Sequence, residues 1–111
     1  MSIVLEALTC FERAATLQAN ATEIGDYKDA NRQYRKLNKA IMQIKENNQI
    51  NALTTYLDNP SVGVRLWAAA YLLPYEEDAS IKVLEEIARQ SGIHSLTAET
   101  TLKEWRKGLL R

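Results

Sequence analysis

The chain has 111 residues, of which 46% are hydrophobic and 25% charged, and its formal net charge is zero. A chain of this length and composition is typical of one globular domain with a single core, and it lacks the run of about 18 apolar residues needed to cross a membrane. Zero net charge provides no overall field that would attract nucleic acid or a membrane surface.

The first residues, MSIVLEALTCFERAA, do not resemble a secretory signal. They lack a basic segment and a small-residue cleavage site, and Glu6 interrupts the apolar stretch. The single cysteine, Cys10, cannot form an internal disulfide, which agrees with a reducing compartment. We therefore expect a cytoplasmic protein in which Cys10 packs beside apolar groups as an inert thiol.

The pattern of apolar residues predicts an entirely helical chain. Glycine and proline number only four and two, and no segment alternates apolar and polar residues as a strand would. A first helix is predicted to run to about Ala19, before the interruption NATEIGD. Its apolar face consists of Val4, Ala7, Leu8, Phe11 and Ala15.

A second helix is predicted to begin near Asp26, which is a plausible N-cap. Its apolar seam consists of Tyr27, Ala30, Tyr34, Leu37, Ile41 and Ile44. The segment 28–45 is also basic: six cations, Lys28, Arg32, Arg35, Lys36, Lys39 and Lys45, accompany one acid, Asp29. Because both tyrosines lie on the seam, we expect them in the core and not as platforms for stacking nucleic-acid bases.

A short third helix, NALTTYL, leads into the corner DNPS, where Asn59 is the expected N-cap and Pro60 the first helical residue of the fourth helix. This fourth helix, VGVRLWAAAYL, is apolar nearly all round, which predicts a middle layer covered by other helices. Its only charge, Arg65, is expected to bond Asp58 or the carbonyls of the corner.

Two more helices complete the prediction. After YEED, a fifth helix should bury Ile81, Leu84, Ile87 and Ala88, and SGIHS should form a loop that contains His94. A sixth is expected from about Thr97, with its apolar face formed by Ala98, Leu102, Trp105 and Leu109. The sequence therefore predicts a short α-solenoid of about six helices in three antiparallel pairs, with Trp67, Leu72 and Leu84 buried between layers.

The stretch YLDNPSVGVRLWAAAYLL resembles a HEAT repeat in its leucine-bearing helix, its Asp-x-Pro corner, its Val-Arg pair and its Ala-Ala pair. The resemblance implies a single HEAT-like domain, divided into an N-terminal helix pair (1–47), the best repeat (48–74) and a degenerate second repeat (75–111) that lacks the corner and the Val-Arg pair. The longer pattern, with GDYKDANRQYRKL and VLEEIA, is similar to a small bacterial family of HEAT-like proteins of unassigned function. Small helical proteins of this kind are similar to immunity proteins of contact-dependent inhibition systems, which neutralise a toxin domain by binding it.

Nothing in the sequence indicates catalysis. His94 is the only histidine, which excludes a two-histidine acid/base pair or a histidine-rich metal site. Glycine-rich phosphate loops and G-x-S-x-G motifs do not occur. A nucleophilic pair of Cys10 and His94 is the remaining arrangement, and an inert Cys10 and a loop His94 argue against it. We expect no enzyme activity, no cofactor and no metal.

Acidic residues are concentrated between Asp58 and Glu86. The candidate interface residues are Glu76, Glu77, Asp78, Glu85 and Glu86. As an anionic surface they suit a basic protein, although a solvated face is the simpler interpretation. We expect a monomeric protein-binding module, specifically an immunity protein that occludes the active site of a bacterial toxin domain such as a nuclease. One alternative is a HEAT-like scaffold or adaptor, and another is nucleic-acid binding through the basic helix 28–45.

Overall fold

The computed structural model describes residues 2–108, which form five α-helices and one 3₁₀ helix and contain no strand. The elements are α1 (Ile3–Glu23), α2 (Tyr27–Glu46), the 3₁₀ helix (Ile50–Asp58), α3 (Val62–Leu72), α4 (Glu77–Ala88) and α5 (Ile93–Arg106). The predicted all-helical class with six helices is confirmed. The antiparallel pairing and the HEAT-like solenoid stay predictions, and Leu109 of the predicted last helix lies outside the described residues. No helix among those described combines the length and apolarity needed to span a bilayer.

At the starts of α1, α2 and α3, a polar side chain bonds a backbone N–H group that the helix leaves unpaired. Asp26 accepts from the Asp29 amide at 3.1 Å, which confirms its predicted role at α2. The predicted cap of α3 is wrong, because Ser61, and not Asn59, accepts from the Val64 amide. The Asn59 Oδ1 atom instead accepts from the Ser61 amide at 2.9 Å, which closes a turn before the helix and delays its start by two residues.

The predicted third helix adopts the 3₁₀ form. Thr54 and Thr55 donate their hydroxyls to the carbonyls of Asn51 and Ala52, three residues earlier. The tighter turn still buries Ile50 and Leu53, which lie three residues apart on one face. This short element therefore contributes to the core through only one side.

The apolar core consists of two clusters that share α3. Val64, Ala68 and Leu72 belong to the cluster with α1, α2 and the 3₁₀ helix, whereas Leu66 and Ala69 belong to the cluster with α4 and α5. A helix with apolar residues nearly all round is expected to be covered in this way. The predicted cover of this helix on several sides is confirmed, while its place as the middle layer of a solenoid stays a prediction.

Gly63 marks the closest approach of α3 to α1. A Cβ atom at this position would lie 2.5 Å from the Ala19 Cβ atom and 2.7 Å from the Ala15 carbonyl oxygen. No side chain fits in this space, so the glycine allows the two helix backbones to approach within contact distance.

Three aromatic residues depart from their predicted burial. Leu72 and Leu84 are fully buried as predicted, but Trp67 is only partly buried, and Tyr27 and Tyr34 are 68% and 41% exposed. The other residues of the α2 seam, Ala30, Leu37, Ile41 and Ile44, are buried, so exposure within the seam is confined to its two tyrosines. A Trp67→Ala substitution should therefore cost less than the roughly 3–5 kcal/mol expected for a fully buried tryptophan.

The start of α5 also differs from prediction. The helix begins at Ile93, four residues before Thr97, and His94 lies in its first turn and not in a loop. The His94 Nε2 atom is 2.9 Å from a Glu23 Oε1 atom at the end of α1, which itself extends past the predicted end at Ala19. The contact between the His94 ring and the Glu23 carboxylate thus links α5 to α1.

Candidate functional site

A cleft of about 460 Å³ opens between α2, α3, α5 and the turn that follows α3. Its lining residues are Tyr34, Lys45, Trp67, Ala70, Tyr71, Leu73, Pro74, Tyr75, Thr101, Glu104 and Trp105. Five of these are aromatic, in a chain with only eight aromatic residues (five Tyr, two Trp and one Phe). Most of the aromatic residues of this protein therefore line one concavity.

Three of the aromatic rings form a continuous row across two helices. Trp67 and Tyr71, four residues apart on α3, lie on the same face with ring centroids 6.4 Å apart. Tyr34 on α2 completes the row, with its centroid 5.4 Å from that of Trp67 and its plane tilted by 50°. These tilted arrangements lie in the favourable range for aromatic pairs.

Hydrogen bonds hold the polar ends of the rings. The Trp67 Nε1–H donates to Gln18 at 3.0 Å, and the Tyr71 hydroxyl donates to the Asn38 Oδ1 atom at 3.0 Å. Burial, together with neighbouring Tyr34, raises the pKa of Tyr71, so its hydroxyl stays a neutral donor. The ring orientations are consequently set by the fold itself.

On the opposite side of the cleft, the Trp105 indole N–H donates to a Glu77 carboxylate oxygen at 2.6 Å. Trp105 is almost fully buried, whereas Tyr75 is 47% exposed. The cleft thus combines rings fixed by hydrogen bonds with two tyrosines, Tyr34 and Tyr75, that present substantial surface to solvent. Its charged lining residues are one cation, Lys45, and one anion, Glu104.

The five predicted interface acids fall into two groups, those that contact α5 and those that are exposed. Glu77 and Glu85 each bond a residue of α5: Glu77 accepts from Trp105, and Glu85 forms an ion pair with Arg106 at 3.2 Å. The other three, Glu76, Asp78 and Glu86, are exposed, and none forms an ion pair within residues 2–108. Glu77 connects the acidic segment to the edge of the aromatic cleft through Trp105.

Position at a helix start gives three of these acids a structural role as well. Glu76 is the N-cap residue of α4, and Glu77 and Asp78 lie in its first turn. Negative charge there is favoured by the positive end of the helix dipole. These three acids therefore stabilise α4, whether or not they also contact a partner.

Other predicted site residues have simple roles in the structure. Arg65 donates to the carbonyls of Asn59 and Pro60 at 2.7 and 3.2 Å, so the predicted bonding to the corner carbonyls is confirmed and no bond to Asp58 is seen. Cys10 is exposed, which contradicts its predicted packing. The apolar face of α1 is formed by Ala7, Phe11 and Ala14, and Cys10 lies beside this face and not within it. No group of three His, Cys, Asp or Glu residues suited to a metal ion occurs in the described part of the chain.

Sequence reasoning missed the aromatic cleft, because it placed Tyr34 in the core and Trp67 between layers. A signal was nevertheless present. Tyr34, Trp67 and Trp105 occur on the second, fourth and last predicted helices, each the second member of its predicted pair. If the predicted pairs stack as a solenoid, their second members share one surface, but the sequence does not show that the three rings meet there.

No protein-family model, curated protein or solved structure matches this chain.

Proposed function

We propose that this chain is a protein-binding module that contacts its partner through the aromatic cleft. The observation that carries the proposal is the collection of five aromatic side chains in one concavity, two of them well exposed. Tyrosine and tryptophan are the residues most enriched at the energetic centres of protein interfaces, where a partner side chain fills a desolvated pocket.

Rigidity of the cleft supports binding. Trp67, Tyr71 and Trp105 are each anchored by a hydrogen bond to Gln18, Asn38 and Glu77, respectively. A surface whose side chains are already ordered loses less conformational entropy when a partner binds. The cleft is therefore suited to tight association with little rearrangement.

The charges near the cleft favour a basic partner. Glu104 lies in the cleft, and the exposed Glu76 and Asp78 flank Glu77, which contacts its edge. Lys45 is the single cation in the lining. A nuclease toxin needs a cationic active site, so carboxylates at this edge would steer its approach and pair with its charges. The specific form of our proposal is an immunity protein that occludes the active site of such a toxin domain in the bacterial cytoplasm.

Removing the two exposed tyrosines tests the cleft directly. The variant Tyr34→Ala/Tyr75→Ala should bind the partner at least about tenfold more weakly, because each ring contributes apolar contact area to the interface. Affinity would be measured by calorimetric titration with a candidate nuclease toxin domain, and protection by survival of cells that co-express the two. Both side chains are substantially exposed, so the fold should survive the change.

The matched control is Tyr27→Ala, which removes an exposed tyrosine of α2 that does not line the cleft. It should bind and protect like the unmodified chain. Equal binding by the double variant and the unmodified chain would contradict the cleft as the interface. Tight binding without protection would favour a scaffold or adaptor over an immunity protein.

Binding of nucleic acid is a second candidate, because Tyr27 and Tyr34 are exposed on the basic helix α2 and are thus accessible for base stacking. Zero net charge argues against it. If α2 binds nucleic acid, reversing the charges of Arg32, Arg35 and Lys39 should abolish a gel shift that weakens steeply with salt. Under our proposal, no such shift is expected.

A further inference from the structure

We infer that the groove between α1 and α2 is a second binding site, which takes an acidic amphipathic helix of another protein. The groove has a volume of about 620 Å³. Its lining residues are Cys10, Arg13, Ala14, Leu17, Gln33, Lys36, Lys39, Ala40 and Gln43. It shares no lining residue with the aromatic cleft, so the inference is independent of the proposed function.

Charge is the first feature that points to an acidic occupant. Arg13, Lys36 and Lys39 line the groove, and no carboxylate does. None of these three cations forms a salt bridge with any residue from 2 to 108. Asp29, which lies one turn before Gln33 on α2, already accepts hydrogen bonds from Arg32 and Gln33. After those hydrogen bonds, the nearby charge of Lys36 also contributes to the lowered pKa of the Asp29 carboxyl. The groove is thus a concave cationic surface whose three cations are not held in ion pairs within residues 2–108.

The shape of the groove matches a helix. Gln33, Lys36, Ala40 and Gln43 recur every three or four residues along α2, and Cys10, Arg13 and Leu17 do the same along α1. The span from Gln33 to Gln43 corresponds to about 15 Å of helix, or nearly three turns. A short helix laid along the groove would contact both walls over this length.

The lining combines apolar and polar groups in a way that suits a protein segment. The apolar strip of the groove consists of Ala14 and Ala40, which are almost fully buried, and of Leu17, which is partly buried and offers the larger apolar contact for a leucine-like side chain of an amphipathic helix. The cations beside the strip would then pair with carboxylates next to the apolar face of that helix.

Nucleic acid is a poorer match for this groove. No aromatic residue lines it, whereas single strands are held largely by stacking on aromatic rings. Three cations also provide few of the phosphate contacts that duplex binding uses. The observations therefore favour a peptide over a phosphate backbone.

The experiment uses the full chain and three fluorescent probes. Two are helical peptides of about 18 residues that carry glutamates on both sides of a leucine stripe, one being the reverse sequence of the other. The third is a 20-base-pair DNA duplex of random sequence. Anisotropy titrations at low and moderate salt should show binding of at least one peptide. The variant Lys36→Glu/Lys39→Glu should bind that peptide at least about tenfold more weakly, since two attractive charges become repulsive.

The matched control is Lys28→Glu/Lys82→Glu, which reverses two exposed lysines outside the groove and changes the net charge equally. Its affinity for the peptide should stay within about twofold of that of the unmodified chain. The variant Tyr34→Ala/Tyr75→Ala should also keep this affinity for the peptide, because the aromatic cleft is a separate surface. Three results would overturn the inference: failure of both peptides to bind, equal losses in the two charge variants, or tighter binding of the duplex with the same dependence on Lys36 and Lys39.

Discussion

Arg65 shows how a single charged side chain is accommodated on the most apolar helix of the protein. Its guanidinium reaches back along the chain and bonds two carbonyls of the corner before α3, so its charge is partly satisfied by backbone oxygens. Asn59 supports the same corner twice, through the Ser61 amide and through a 2.7 Å bond from its Nδ2 to Glu12 of α1. Local polar contacts of this kind determine where α3 begins.

Ser80 provides a stability test at the residue scale. It is completely buried in α4, and its hydroxyl is the one buried side-chain polar atom without a hydrogen-bond partner in residues 2–108. Ser80→Ala should therefore raise the free energy of unfolding by about 0.5–1.5 kcal/mol, because an unsatisfied polar group is removed and alanine favours a helix.

The matched control is Ser95→Ala in α5. The Ser95 hydroxyl is also buried but donates to the Gly92 carbonyl at 2.7 Å. Losing that bond should lower the free energy of unfolding by about 1 kcal/mol. Urea denaturation of both variants checks the pair, and destabilisation by Ser80→Ala as large as that by Ser95→Ala would show that the Ser80 hydroxyl is bonded.

The exposure of Cys10 predicts its reactivity. A thiol-specific reagent should label it at a rate close to that of a small thiol, without denaturant, because no unfolding is needed for access. Cys10→Ala should leave partner binding and stability nearly unchanged, since few contacts are lost from an exposed position. Labelling that occurs only in denaturant would contradict the exposure, and loss of binding with an intact fold would revive a chemical role for the thiol.

At the scale of elements, the packing of α3 on α1 depends on small residues. Gly63 lies over Ala15 and Ala19, and these three positions let two helix backbones come close. The close contact brings Trp67 within reach of Gln18 on α1. The position of the aromatic row thus depends on the spacing between α1 and α3.

Gly63→Ala tests this spacing. Alanine is the better helix former by about 1 kcal/mol, so an open site would be stabilised. Here the added methyl group would meet the Ala19 Cβ and the Ala15 carbonyl, and the helices would have to separate. We expect a net loss of about 1–3 kcal/mol in the free energy of unfolding, measured by urea denaturation.

A second substitution makes this test specific. Adding Ala19→Gly removes the Ala19 Cβ atom and should recover part of the loss in Gly63→Ala, although the contact with the Ala15 carbonyl remains. A single variant as stable as the unmodified chain would show that α1 and α3 are further apart than described.

For the whole molecule, α3 is the element on which both apolar clusters depend. One face of it packs with α1 and α2, and the other with α4 and α5. The aromatic cleft lies where α2, α3 and α5 meet, so it forms only when both clusters are in place. We therefore expect unfolding in a single cooperative transition, with loss of partner binding and loss of helix occurring together.

The role that we propose for the acidic residues also belongs to this scale, because it depends on the electrostatic field around the cleft. Glu76→Lys/Glu86→Lys should slow association with a basic partner about tenfold at low salt, and the effect should shrink as salt rises. The measurement is stopped-flow association with a toxin domain of the kind proposed as the partner. Glu77 and Glu85 are left intact because they bond Trp105 and Arg106.

The control for this test is Glu6→Lys/Asp58→Lys. Both residues are exposed and lie outside the acidic segment 76–86, and Glu6 resembles Glu76 in its position at a helix start. The control should leave the association rate nearly unchanged. Equal slowing by the two variants would mean that net charge, and not the acidic segment, governs association.

The spacing of apolar residues was enough to predict the helical class and the cover of α3 by other helices, while the residue types at the turns predicted the cap at Asp26 and the carbonyl bonds of Arg65. These features depend on residues close together in the chain or on the distribution of apolar side chains around one helix. Periodicity shows which residues share a face, but it does not show how far the neighbouring elements cover that face. The burial of Tyr27, Tyr34 and Trp67 was consequently mispredicted, and so was that of Cys10.

Contacts between distant segments required the tertiary structure. The approach of Gly63 to Ala19, the bond between His94 and Glu23, and the meeting of Tyr34 with Trp67 each join residues more than 30 positions apart. Each depends on helix spacing and orientation, which result from the packing of all the elements at once. The candidate site is formed by such contacts, and for this reason its aromatic residues were visible in the sequence while their common cleft was not.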